Sequence, residues 1–555
     1  MITTKIKSIF RVFALAILLI SVSCTDLLDL EPQNALSDAT AFTTPARIAL
    51  TIAGVYDAAQ SGTYAGGAVR GYPFGAAHVE QGDNRGEDVV NTQAFFLITY
   101  NSTYTPATAN NDWHFQTLFR LVNRINVVLA GLDTAVPSVE MPQSLLDSYK
   151  GECRFLRALA YHELLKFFCR PYSDSPNAPA GGMPIRTTAV TGPVSADIEA
   201  QVGRSTVAET YDFVLDDLDY AESVLPETRS SRSLIISRAT KAAAIALKTR
   251  VYLHMGDWAN VITEGNKIAP QATAPFSSPF GGFNLPANPY SAFSASGSKN
   301  NTESIWSIEN SEADNASVNG ALPAMYTTSA APTSGRALVA ISPLIWNQSW
   351  FLADDVRKST TFVSFDENPA GTTGGKGGLF TKKYTDVTGR SDNAPHLRYA
   401  EVLLNMAEAI QRQAGAGVNA RAFEMYNAVR SRAVDDPATD EITDFAAGND
   451  LVAAILNERR IEFLCEGLRW GDIHRLAQDA TFNTWGGGIP AKVSALLTNY
   501  RPLYTGDPAT NDAILATPAQ IHAAIPYSDF RFLWPIPNSE TNLNPVLAAQ
   551  QNPGW

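Results

Sequence analysis

The feature that most constrains the fold is a set of long segments in which apolar residues recur at the spacing of an α-helix. The clearest of these stripes consists of Phe155, Leu156, Leu159, Leu164, Phe167 and Phe168. A stripe of this width must be buried against other elements, so it predicts a core face before it predicts a binding site. The same periodicity predicts helices at 113–132, 145–170, 207–225, 237–255, 396–413, 420–433 and 450–466. The fold is therefore predicted to be mostly α.

Helix boundaries and pairing refine this prediction. Ser205 or Thr206 before an apolar run, with Glu209 just after it, is typical of a helix N-cap, and Pro226 and Gly256 stand where helices should end. Antiparallel helix pairs at this spacing favour a tetratricopeptide-like helical-repeat scaffold with few short strands. We assign to this scaffold residues about 24–60, 107–269 and 396–480, followed by a C-terminal segment, 481–555.

Two stretches interrupt the helical pattern, at about 61–106 and 270–395. Both are rich in turn-forming residues, yet both carry many aromatic rings. Long ordered loops of this kind are unusual and often functional. We therefore predict that these two loop-rich insertions bind the ligand.

The N-terminus has the architecture of an export signal. Lys5, Lys7 and Arg11 precede nine apolar residues, 12–20, which as a helix would span only about 14 Å, too short for a bilayer core. Small residues then lead to Cys24. This pattern predicts a lipoprotein signal peptide, 1–23, a lipid on Cys24 and a mature body, 24–555. The alternative is an ordinary secretory signal with an incidental cysteine.

Charge and motif content exclude several classes of function. The chain carries 42 basic and 55 acidic residues, a net charge of −13, and no Lys/Arg-rich run, which argues against nucleic acid as a partner. No nucleophile-elbow or zinc-protease motif is present, and the seven histidines lack metal-ligand spacing. We predict no catalytic residues, metal or cofactor, and we interpret Asp216, Asp217 and Asp219 as a solvated helix face. Cys153, Cys169 and Cys465 are predicted to be buried thiols.

One cluster of glutamates in the sequence requires basic side chains nearby to neutralise its charge. Glu458, Glu462 and Glu466 fall four residues apart on one helix face, where like charges repel. Basic side chains lie nearby in sequence or in the preceding helices, namely Arg398, Arg430, Arg432, Arg459, Arg460, Arg469 and Arg475. We favour a buried network of glutamate and arginine over the alternative, a metal site.

Eight segments in a fixed order carry a family resemblance. They are 112–126 (DWHFQTLFRLVNRIN), 151–168 (GECRFLRALAYHELLKFF), 204–226 ending in DLDYAESVLP, 238–258 (RATKAAAIALKTRVYLHMGDW), 301–308 (NTESIWSI), 397–409 (LRYAEVLLNMAEA), 457–475 (NERRIEFLCEGLRWGDIHR) and the C-terminal PIPNSETNLNPVLAAQQNPGW. Through them the chain resembles the SusD/RagB family of outer-membrane nutrient-binding lipoproteins.

The resemblance implies more than the residue patterns do. It implies tetratricopeptide helices with a variable loop-rich region, lipid anchoring at the surface of the outer membrane, and a SusC-like TonB-dependent transporter as the partner. It also implies binding of a glycan without cleavage, and structural roles for Trp306, Arg459, Glu462 and Trp470. Alternatives are the same scaffold binding peptides or another non-glycan nutrient, and a secreted glycoside hydrolase.

Within the loop-rich insertions, the ligand site is predicted from chemistry. A sugar offers apolar C–H faces and a rim of hydroxyls, so its site needs flat rings with polar groups beside them. The residues that satisfy this pattern best are Tyr72, Asp83, Arg85, Tyr326, Trp346 and Trp350.

Overall fold

The computed structural model describes residues 40–63, 67–92, 94–330, 335–366, 377–434, 445–497 and 499–555. The predicted signal peptide and Cys24 lie outside these residues. Within them, no helix is both long and apolar enough to cross a bilayer.

Helices dominate the described chain, and the longest ones build the scaffold. They are α1 Pro45–Gln60, α2 Ala77–Arg85, α3 Leu97–Tyr100, α4 Ala109–Thr134, α5 Gln143–Phe168, α6 Pro193–Glu199, α7 Val207–Val224, α8 Arg232–Ser237, α9 Lys241–Met255, α10 Trp258–Gly265, α11 Leu322–Tyr326, α12 Pro343–Trp346, α13 Tyr399–Ala414, α14 Ala420–Arg430, α15 Gly448–Glu462, α16 Arg469–Arg475, α17 Pro508–Leu515, α18 Asn538–Thr541 and α19 Pro545–Ala549. The mostly α prediction is confirmed.

Local chemistry explains where the helices begin and end. Thr206 accepts from the Glu209 amide while the Glu209 carboxylate accepts from the Thr206 amide, a capping box that starts α7 as predicted. Gly256 ends α9 at a φ of 73°, a left-handed conformation that favours glycine. The predicted helix 237–255 instead begins at Lys241, because Thr240 caps it and Arg238 is extended.

Neighbouring helices in sequence pack against each other. Helix α5 packs between α4 and α7, α9 packs on α7 and α10, and α13 packs on α14 and α15. Their apolar stripes meet in one large core. Side chains that the resemblance marked as structural lie in this interior, since Trp306 and Trp470 are fully buried. Cys153, Cys169 and Cys465 are free and buried, as predicted.

The strands are short and tie distant parts of the chain together. They are β1 Gly62–Thr63, β2 Val69–Tyr72, β3 Val89–Asn91, β4 Ser304–Ile308, β5 Val339–Ile341, β6 Val363–Asp366, β7 Gly378–Thr381, β8 Ala394–Arg398, β9 Lys492–Val493 and β10 Ile521–His522. An antiparallel sheet has the order β3-β5-β7-β6. Pairing of Val90 with Ala340 therefore joins the two loop-rich insertions.

The acidic stripe on α7 departs from the prediction. Asp219 is exposed, but Asp217 is fully buried and accepts from Arg154 Nε at 2.6 Å and from Arg157 Nε at 2.7 Å. Both arginines lie on α5, which packs against α7. Asp217 is thus an inter-helix ion-pair residue and not part of a solvated face.

Candidate functional site

Four of the six predicted ligand residues are buried in the core. Tyr326 donates from its hydroxyl to Asp83 Oδ2 at 2.9 Å, and the Gly467 amide donates to Asp83 Oδ1 at 2.9 Å. Arg85 has no exposed surface, and its Cζ lies 3.9 Å from the centroid of the Trp470 ring. Tyr72 is 1% exposed. With so little exposed surface, these four side chains offer no face on which a sugar could stack in this structure.

The buried Tyr72 nevertheless marks a cavity in the first loop-rich insertion. Its hydroxyl accepts from Gln81 Nε2 and Asn110 Nδ2, each at 3.2 Å. The cavity has a volume of about 230 Å³ and is lined by Arg70, Tyr72, Ala94, Phe95, Phe96, Ile98, Ala109 and Asn110. We call it the Phe95 cavity. It combines an aromatic wall with an amide and a guanidinium.

Phe95 provides the accessible ring of this cavity. It is half-buried, whereas Phe96 beside it is buried. The guanidinium carbon of Arg70 lies 5.2 Å from the Phe95 centroid, and that of Arg336 lies 4.7 Å from it. Arg336 comes from the second insertion and is held by a hydrogen bond to Asn319 Oδ1 at 2.7 Å. Groups from both loop-rich insertions therefore meet at one ring.

Two acidic side chains of α2 are buried, and one of them, Glu80, is close enough to Arg70 and Arg336 to interact with their charges. Glu80 is fully buried, and burial, reinforced by Asp83, raises its pKa well above the ordinary value against the opposing pull of Arg70 and Arg336. Burial also raises the pKa of Asp83 to about 8. For Asp83, this pKa favours the neutral carboxyl near pH 7.

A second aromatic cavity, the Trp350 cavity, lies next to α14 and α15. It has a volume of about 370 Å³ and is lined by Ser349, Trp350, Leu352, Tyr426, Arg430, Phe445, Asp450, Ala453, Ala454, Asn457, Glu458 and Ile461. Trp350 is half-buried, and the Arg460 guanidinium carbon lies 5.2 Å from its ring centroid. The other predicted tryptophan, Trp346, is half-buried beneath Lys358, whose Nζ lies 4.9 Å from its ring centroid.

A third cavity is equally large but chemically different. Its volume is also about 370 Å³, and its lining includes Asp57, Gln60, Ser237 and Asp314. Its ring, Tyr56, donates its hydroxyl to Glu152 Oε2 at 2.7 Å. With no other aromatic side chain in its lining, this cavity suits a stacked sugar less well than the two others.

Sequence reasoning found the region of the Phe95 cavity but not its residues. Phe95 was one of many rings in 61–106, and only the tertiary structure shows which ring remains accessible. Arg336 lies more than two hundred residues away in sequence, and its approach depends on the pairing of β3 with β5. Among the described residues, no group of three or more His, Cys, Asp or Glu is arranged to hold a metal ion.

Comparison with known proteins shows which protein family this chain resembles. Residues 356–555 match the model described as "SusD family", and residues 26–253 match the model described as "Starch-binding associating with outer membrane". SusD-like protein P38 of Formosa agariphila is 23% identical over 508 residues, covering 85% of this chain and 92% of that protein.

Solved structures agree with the sequence comparison. A SusD superfamily protein from Bacteroides fragilis is 27% identical, with a TM-score of 0.70 over 91% of this chain and 99% of its own. A laminarin-binding SusD-like protein shares the fold at 18% identity, with a TM-score of 0.63 over 93% of this chain and 100% of its own. Family models, relatives and structures agree along most of the chain, and the resemblance inferred from the sequence is confirmed: this protein belongs to the SusD family.

Proposed function

We propose that this protein is a glycan-binding lipoprotein of the cell surface. It captures an oligosaccharide or polysaccharide and delivers it to a SusC-like TonB-dependent transporter in the outer membrane, without cleaving it. The observation that carries the proposal is the Phe95 cavity, where an accessible ring meets the Asn110 amide and the Arg70 guanidinium, with the Arg336 guanidinium over the same ring. The Trp350 cavity is proposed as a second contact surface for the same glycan chain.

The chemistry of the Phe95 cavity suits a sugar better than a reacting substrate. The half-buried Phe95 ring offers an apolar face to sugar C–H groups, and Asn110 can exchange hydrogen bonds with hydroxyls. A glycoside hydrolase would need two carboxyl groups facing one another across the substrate. No Asp or Glu lines this cavity, so its described residues support binding without hydrolysis.

Replacing Phe95 with Ala is expected to weaken glycan binding by about 1–3 kcal/mol, because the variant loses the stacking surface of one aromatic ring. Calorimetry against a panel of oligosaccharides measures the loss, and thermal unfolding measured in parallel separates binding from stability. Trp350→Ala tests the second cavity in the same way. Trp485→Ala is the matched control, since this ring is 43% exposed and lines neither cavity.

The same samples distinguish the alternatives. Retention of intact oligosaccharide supports binding, whereas release of shorter products would identify a hydrolase. Binding of peptides in place of sugars would keep the scaffold and change the nutrient. If Phe95→Ala lost affinity and thermal stability together, the ring would be a core residue and the proposed site would be elsewhere.

The lipid anchor makes a separate prediction. Cys24→Ala should move the protein from the outer-membrane fraction to the soluble fraction, because stable attachment without a spanning helix needs acyl chains. Fractionation of cells followed by immunoblotting measures the change, with Cys153→Ala as a control that removes a buried thiol. A Cys24→Ala protein that still sediments with membranes would contradict the anchor.

A further inference from the structure

Two basic side chains lie around Phe95, the accessible ring of the Phe95 cavity, in a protein that is acidic overall. The net charge of the chain is −13. At the accessible ring, however, the guanidinium carbons of Arg70 and Arg336 both lie within 5.2 Å of the centroid. Arginine is the side chain best suited to pair with planar or tetrahedral anionic groups, because its donors form a fixed fork.

The two acidic side chains of α2, Glu80 and Asp83, are both buried. Glu80 is fully buried, and neither of its carboxyl oxygens has a hydrogen-bond partner. Asp83 is 3% exposed and is occupied by the Tyr326 hydroxyl and the Gly467 amide. Burial raises the pKa of both carboxyls, which favours their neutral forms.

The polar contacts of Arg336 leave its charge available. It donates from Nη1 to Asn319 Oδ1 at 2.7 Å and to the Val318 carbonyl at 3.3 Å, which are both neutral acceptors. Its side chain is half-buried, so water screens it less than a fully exposed arginine. A negatively charged group of the ligand would therefore bind beside Arg336 with a more favourable free energy than a neutral hydroxyl.

We propose that the ligand of the Phe95 cavity is an anionic oligosaccharide, whose carboxylate or sulfate groups pair with Arg336 and Arg70 while a sugar face packs on Phe95. This inference rests on the proposed glycan-binding function and narrows its substrate to charged glycans. Uronate and sulfate share the chemistry that the site recognises, and the choice between them is left to experiment.

The test compares four probes on the full-length mature protein by calorimetry. Oligogalacturonate carries carboxylates, chondroitin sulfate oligosaccharides carry sulfates as well, and laminarin and maltose oligosaccharides are neutral. At least one anionic probe should bind about tenfold more tightly than the neutral ones, as expected for charge-assisted hydrogen bonds. Raising the NaCl concentration should weaken that binding, because salt screens partly exposed charges.

Variants assign the effect to the cavity. Arg336→Gln should lower the affinity for the anionic probe about tenfold and leave the weaker neutral binding nearly unchanged, whereas Arg336→Lys should retain part of the affinity. Arg501→Gln is the matched control: its guanidinium carbon also lies 4.7 Å from a phenylalanine ring, Phe365, and it lines neither aromatic cavity. Thermal unfolding of each variant shows whether it is folded.

The outcomes separate this inference from the function on which it rests. Tight, salt-insensitive binding of a neutral probe, unaffected by Arg336→Gln, would overturn the anionic ligand and leave glycan binding intact. Failure of every glycan probe to bind the folded protein would overturn both. If Arg336→Gln does not fold, the salt dependence and probe preference of the unmodified protein decide the question alone.

Discussion

Replacing Glu462 with Gln is expected to lower the free energy of unfolding by about 3–5 kcal/mol, the cost of breaking a buried ion-pair network. Glu462 is 2% exposed. It pairs with Arg357 at 2.9 Å, Arg398 at 2.8 Å and Arg432 at 2.7 Å. Burial alone would raise the pKa of Glu462, but the surrounding guanidiniums outweigh it and hold this pKa well below the ordinary value.

The large effect follows from the charge balance around Glu462. Five acidic and five basic side chains form the buried network, namely Glu303, Asp355, Glu458, Glu462 and Glu466 with Arg357, Lys383, Arg398, Arg430 and Arg432. A neutral amide at position 462 leaves one positive charge in excess, away from water. The remaining charges cannot be satisfied without moving the helices and strands that carry them.

Denaturant unfolding of both proteins measures the loss, and a surface pair provides the control. Lys150 and Asp133 lie 2.5 Å apart, with the Asp133 side chain 69% exposed. Asp133→Asn should therefore cost less than about 1 kcal/mol. If Glu462→Gln cost no more than Asp133→Asn, the buried network would contribute little to stability.

The buried ion-pair network around Glu462 shows which contacts could be predicted from the sequence alone. The spacing of Glu458, Glu462 and Glu466 predicted a buried glutamate and arginine network, and the structure confirms the network. Glu466 lies beyond α15, which ends at Glu462, so the prediction that all three share one helix face is wrong. Arg357 and Lys383 were missed because they lie in a loop-rich insertion, where no periodicity indicates direction. Four of the predicted arginines pair elsewhere, with Asp472, Glu408, Glu87 and Asp88 as partners.

The same division between local and tertiary information holds for the fold and the site. Helix ends such as Gly256 depend on neighbouring residues, and the sequence predicted them. The strand 394–398 was predicted in part as helix, because its pairing with β4 depends on residues about ninety positions earlier. Aromatic residues of the insertions were ranked by their polar neighbours in sequence, which placed Tyr326 above Phe95. Burial reverses that order, since Tyr326 is fully buried and Phe95 is not.

Lowering the pH from about 6.5 to 4.5 is expected to destabilise the protein, because five of its seven histidines are buried with a lowered pKa. Burial lowers the pKa of His78 to about 3 and that of His474 to about 3. It lowers the pKa of His162, His254 and His396 well below the ordinary value. Below pH 6.5 the unfolded chain therefore binds protons that the folded protein does not, and stability falls with pH.

Five carboxyl groups oppose this trend. Burial raises the pKa of Asp57, Glu80 and Glu264, that of Asp83 to about 8 and that of Asp392 to about 6. Their folded forms take up protons at a higher pH than their unfolded forms, so they stabilise the folded protein as the pH falls. These carboxyls offset part of the loss from the histidines, so the fall in stability below pH 6.5 reflects the protons that the unfolded histidines bind in excess.

The stacked pair His78 and His396 shows why protonating a buried histidine is unfavourable in the folded protein. Their ring centroids lie 3.8 Å apart with an interplanar angle of 14°. His78 Nε2 lies 3.2 Å from the Pro395 carbonyl, and His396 Nε2 lies 3.1 Å from the Phe74 carbonyl, so each Nε2 donates and each ring is neutral with Nδ1 unprotonated. Protonating either Nδ1 places a charge against the other ring, without access to water.

Denaturant unfolding at several pH values between 7.5 and 4.5 measures this dependence, and a single replacement assigns it. His474→Gln removes one titrating group and keeps an amide that can donate to the Cys169 carbonyl, which His474 Nε2 contacts at 2.9 Å. The slope of unfolding free energy against pH should decrease by about 1.4 kcal/mol per pH unit, the value of one proton. An unchanged slope in the folded variant would show that His474 does not titrate on unfolding.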